Sequence, residues 1–82
     1  MILHAYAILD LKGGFYSSPF FMHTDAIAIR SFSDALADPQ VEMAKHPEDY
    51  QLWRLGDFDD NAGTLTPLAA PQFLVSGLGE TL

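Results

Sequence analysis

Lys45–Gly63, KHPEDYQLWRLGDFDDNAG, is the stretch that decides the fold of this chain. Pro47 has no amide hydrogen to donate and biases His46 away from the helical well, so any helix that precedes it ends there. From Tyr50 to Phe58 the run brings Tyr50, Leu52, Trp53, Leu55 and Phe58, aromatic and aliphatic bulk suited to a pleated surface. Asp59-Asp60-Asn61-Ala62-Gly63 then collects residues that tolerate tight turns, and Thr64-Leu65-Thr66 resumes alternation as a short return strand. The whole reads as a β-hairpin with Gly63 at a left-handed position.

The residues before the hairpin supply two more strands and a helix. In Ile2–Leu11 the odd positions Leu3, Ala5, Ala7, Leu9 and Leu11 are all apolar, while the even ones run through His4, Tyr6, Ile8 and Asp10, which predicts a strand with one fully buried face. Lys12-Gly13-Gly14 turns it, and Phe15–Met22 returns as a shorter strand that Pro19 pushes toward a sheet edge. Asp25–Ala37 is the main helix. Thr24 is its cap, and Ala28, Ile29, Phe32, Ala35 and Leu36 form one apolar stripe at helical spacing. Asp38-Pro39 opens a short second helix, Pro39–Lys45. Beyond the hairpin, Pro67 and Pro71 break regular structure, Gln72–Ser76 fits either a final strand or a helical turn, and the closing GLGETL is expected to fray.

The expected architecture is thus α+β: a small antiparallel sheet in ββαββ order, one main helix on one face, and a short second helix. Residues 1–66 form the domain and 67–82 a tail that docks on it or on a neighbour. With Tyr6, Ile8 and Trp53 expected on the face away from the helix, a lone chain would expose an apolar patch, which predicts a homodimer or a higher homo-oligomer.

Composition narrows the functional classes. Eighty-two residues make one domain, too small for an elaborate internal active site. Four basic against eleven acidic residues give a net charge of −7, which opposes simple electrostatic binding to nucleic acid or to an anionic membrane. No cysteine is available for a disulfide or a thiolate metal site, and no apolar run approaches the length of a bilayer span. A soluble intracellular domain is the expectation. His4, His23 and His46 are scattered, Ser17 and Ser18 lack a nucleophile context, and no phosphate-binding glycine loop is present. Asp57, Asp59, Asn61 and Gly63 only partly imitate a calcium loop, with Ala62 and Leu68 where glycine and glutamate belong. No catalytic residue, metal site or cofactor is therefore assigned.

What remains is a binding surface. Lys12, Arg30, Lys45 and Arg54 are the only cations, and Tyr50 and Trp53 are candidate stacking residues beside them, with Tyr6 and Tyr16 also available. Arg54, next to Trp53, is the most plausible cation for a platform that stacks single-stranded bases. Against this stands the plainer reading in which the aromatics are core and the cations only solubilise.

PFFMHTDAIAIRSFSDAL, then ADPQ, then KHPEDYQLWRLGDFDDNAGTL resembles the small nonstructural protein of the gokushovirus branch of the Microviridae, single-stranded DNA phages. The resemblance spans roughly Met1 to Thr66. It implies a nonenzymatic role in single-stranded genome synthesis or packaging in the cytoplasm of the infected bacterium, through weak binding of single-stranded DNA. The alternative is a protein-interaction module that binds the phage replication initiator, the scaffold or a host factor without touching DNA.

Overall fold

A computed structural model of the chain describes residues 1–81; Leu82, the end of the expected tail, lies outside the described residues. Among the described residues five strands form one antiparallel sheet: β1 (Ile2–Asp10), β2 (Phe15–Tyr16), β3 (Phe20–Met22), β4 (Tyr50–Asp59) and β5 (Thr64–Ser76). The long strands lie in the order β1-β4-β5, and β2 and β3 both pair with the free side of β1. The expected return strand Phe15–Met22 is therefore split in two. Pro19 has no ladder donor, so the chain leaves the sheet at Ser17–Pro19, and Ser17 stands in by accepting the Ile8 amide on Oγ at 2.9 Å.

Among the described residues a single α-helix, α1 (Asp25–Ala37), crosses one face. Thr24 caps it by accepting the Ile27 amide on Oγ1 at 3.1 Å, as its sequence position predicts. Ala28 and Phe32 are its fully buried positions, and they meet Tyr6 of β1, Leu52 of β4 and Val75 of β5 in the core. The second helix is not an α-helix. Between Ala37 and Tyr50 the chain forms two short 3₁₀ turns, Glu42–Lys45 and Pro47–Asp49, because Pro47 stops the segment before it is long enough to offset the cost of nucleating an α-helix.

Two expectations about the strands are corrected. The helix covers the even row of β1, not the all-apolar odd row: Tyr6 is fully buried and Ile8 packs against the core. A large ring gains more from burial than an alanine methyl, and the Tyr6 hydroxyl, which would otherwise be stranded, donates to the Asp25 carboxylate at 2.7 Å. Nor does regular structure stop at Pro67. Strand β5 continues to Ser76, pairing Gln72, Phe73, Val75 and Ser76 with Arg54, Trp53, Leu52 and Gln51. Both prolines are tolerated because β5 is the outer strand, and Leu68–Pro71 lies in an irregularity of the ladder opposite Leu55. Residues 77–80 turn back on the strand end, where the Ser76 amide donates to the Glu80 carbonyl at 2.8 Å.

The hairpin turn follows its sequence. Gly63 has φ +69, and Asp59 Oδ1 accepts the Asn61 amide at 3.0 Å, so the acidic cluster serves the turn.

Candidate interaction face

The sheet has two unlike faces, and strand alternation sorts the residues between them. Under the helix, β1 and β4 carry a charged network at the N-terminal end of α1. Arg54 Nη2 donates to Asp57 Oδ1 at 2.9 Å, Arg54 Nη1 lies 3.6 Å from Asp25 Oδ1, and His4 Nδ1 is 2.6 Å from Asp57 Oδ1. The hydrogen bond with His4, reinforced by Arg54, holds the Asp57 carboxyl below its ordinary value of 3.8. Burial first, then the Asp25 carboxylate, pushes the Tyr6 phenol far up, which keeps it protonated as a donor. Asp25 also sits in the first helical turn, where negative charge is favoured. Each carboxylate thus has a cationic or donor partner, and the network joins the helix to two strands.

Among the described residues no helix lies over the other face. It presents Leu3, Ala5, Ala7 and Leu9 of β1, Tyr16 of β2, Phe21 of β3, Gln51, Trp53 and Phe58 of β4, and Leu65 and Phe73 of β5. Two aromatic groups stand on it. Trp53 meets Tyr16 edge-on at 6.2 Å and Phe73 at 5.5 Å, and Phe21 meets Phe58 at 5.7 Å. Ala5 and Ala7 are buried between these rings. An open apolar groove of about 210 Å³ runs beside Ala5, Phe21, Leu55, Gly56, Leu65 and Pro67. Gly56 is required at its floor, since a Cβ there would stand 2.5 Å from the Thr66 carbonyl oxygen. None of the face positions bears Lys, Arg, Asp or Glu; Asp57 borders the groove, but its carboxylate is held on the helix side by His4 and Arg54.

The structure scatters the residues named as a nucleic-acid platform. Trp53 lies on the open face and Arg54 on the helix face, because neighbours in a strand point to opposite sides. Tyr50 also lies on the helix side and packs against the core. Lys45 Nζ is 3.4 Å from Glu42 Oε2, Arg30 is exposed on α1, and Lys12 is exposed in the turn after β1. Tyr6, also considered as a stacking residue, is core. An open apolar face was expected, with Trp53 on it, but most of its make-up was missed for a plain reason. Its aromatics come from four strands, and only the register, including the irregularity at Leu55, shows that Phe58, Phe73 and Phe21 share a side with Trp53. Away from both faces, His46, Glu48 and Asp49 each bring one donor atom to within 4.8 Å of the others on an open turn.

The chain belongs to the phage ORF5 protein family, whose sequence model matches residues 3–79. It is thus a phage protein of a small α+β fold with a curled antiparallel sheet and one helix. The match extends through β5, past the point where the sequence resemblance stops. No curated protein matches the chain, and no solved structure does. No helix among the described residues is long and apolar enough to cross a membrane.

Proposed function

We propose that this phage ORF5 protein is a nonenzymatic microvirus nonstructural protein. In this reading it works in the cytoplasm of the infected bacterium at the stage of single-stranded genome synthesis and packaging, and acts by protein contact through its open sheet face. The observation that carries the reading is the separation of aromatics from cations. Recognition of a single strand needs a stacking surface with positive charge along the backbone track. Here the stacking surface is uncharged and its neighbouring cation, Arg54, is turned away and bound to two carboxylates. An apolar face with aromatic anchors and a groove suits a protein surface, whether that of another copy, the replication initiator, the scaffold or a host factor.

Single-stranded DNA remains the second reading, supported by the Tyr16–Trp53–Phe73 group, since every base offers a ring to stack. Four cations per chain limit its salt dependence: at about 0.7 per phosphate, log K against log salt falls no more steeply than about −3 for one chain and about −6 for two.

Gel-shift titration with single-stranded DNA across salt, beside nuclease-treated binding to purified replication initiator and scaffold protein, separates the two. The protein-contact reading expects no shift at physiological salt. It expects protein binding, or self-association, that Leu65→Lys on the open face disrupts. A saturable shift of single-stranded DNA lost in Trp53→Ala, with no protein contact, would replace it by the second reading.

A further inference from the structure

We infer that the occupant of the open face is a second copy of this chain, packed sheet against sheet about a two-fold axis. The inference rests on the reading of that face as a contact surface and names its partner.

Charge makes the choice. The chain carries −7, so two copies repel wherever their carboxylates meet. The open face is where two copies can approach without opposing like charges, because its strand positions hold no charged side chain and Asp57, at the rim of the groove, is bound by His4 and Arg54. A basic partner would be drawn instead to the acidic remainder of the surface. An isologous contact needs a self-complementary patch, and this one has both parts. Phe21 at 42% exposed and Leu65 at 65% stand proud of the groove rim, and the groove floor between them is lowered by Ala5 and Gly56. Placed face to face, each copy can set a rim side chain into the groove of the other, with the sheets separated by about 10 Å as in other sheet sandwiches.

The area suffices for a modest dimer. Three long strands and the short pair β2 and β3 beside them make four strand widths at about 4.8 Å, and a length of about nine residues at roughly 3.3 Å gives a projected face of at most about 19 by 30 Å. Two such faces bury on the order of 1,100 Å² before corrugation by the rings is added, at the lower end of the range for specific complexes. The dimer should therefore dissociate in the micromolar range. Its response to salt should also be the reverse of a nucleic-acid complex. Screening weakens the repulsion between two copies of charge −7, so added salt tightens the dimer.

The test is molecular mass by sedimentation from about 1 to 100 µM, at low and high sodium chloride, for the wild type, Phe21→Lys, Leu65→Lys and the helix-surface control Ile27→Lys. The expected result is a dimer of the 9.0 kDa chain that tightens with salt, is weakened at least tenfold by either open-face change, and is unaffected at Ile27, itself 40% exposed. Thermal melts check that the variants fold, and Leu65→Lys, at the more exposed site, decides if Phe21→Lys does not. A monomer at 100 µM overturns the inference. So does a dimer indifferent to both open-face changes, or one that salt dissolves. If the wild type is monomeric yet binds a phage protein in a Leu65-dependent way, only the identity of the partner fails, and the contact-surface reading stands.

Discussion

Arg54 shows how much one residue's side of a strand matters. Beside Trp53 in sequence it looks like the cation of a stacking platform, and a change to glutamate looks harmless to the fold. In the structure it is half-buried between Asp25 and Asp57, with Nε shielded from solvent and without a hydrogen-bond partner. Arg54→Glu would put a third carboxylate between two others, and we predict a loss of about 2 kcal/mol or more, read as a fall of roughly 10 °C in the melting temperature. An unchanged melt would show that the network contributes nothing. Asp57 gives a pH signature. Its folded pKa lies below the unfolded value of 3.8, so its contribution to stability is present above that value and is lost as pH falls through the folded pKa. The difference in melting temperature between wild type and Asp57→Asn should therefore be largest near neutral pH and should shrink below about pH 4. A gap that stays constant down to pH 2 contradicts the assignment.

At the level of elements, the sequence yields those whose signals are local. Thr24 as a cap, the helical stripe of α1, Gly63 in the hairpin turn and the edge position of Pro19 all depend on residues within a few positions of one another. Two glycines separate local from tertiary demands. Gly63 needs only a left-handed backbone, with open space around it, so Gly63→Ala should cost about 1 kcal/mol. Gly77 has no unusual backbone, but a Cβ there would collide with the Pro47 carbonyl, and its amide donates to the Tyr50 carbonyl at 2.8 Å. Gly77→Ala should destabilise more than Gly63→Ala in denaturant titration, and the opposite order would mean that the end of β5 is not packed against the 47–50 turn. Nothing near Gly77 in sequence announces this contact, because Pro47 lies thirty residues away. The same is true of β5 itself. Pro67 and Pro71 read as breakers, and only the knowledge that this strand is outermost makes them compatible with it.

The molecule as a whole is an acidic chain whose charged strand residues lie on the helix side of the sheet, leaving the other face neutral and aromatic. An exposed patch was legible in the sequence; its composition was not. The expectation placed Tyr6, Ile8 and Trp53 on it; Trp53 is there, but Tyr6 and Ile8 belong to the core, and the face is completed by Tyr16, Phe21, Phe58 and Phe73. Hydrophobic alternation fixes which residues share a side of one strand, but not which side the helix chooses, and β1 is apolar enough on both for either choice. Trp53 is the single tryptophan and stands at the centre of the open face, so its fluorescence reports what happens there. Emission measured while the protein is concentrated from nanomolar to tens of micromolar, and then while single-stranded DNA is added at physiological salt, shows whether the open face meets another copy or a base. A blue shift that grows with protein concentration and is untouched by DNA is the predicted result. Emission indifferent to protein concentration but saturably quenched by DNA would mean that the face binds bases and not a second copy.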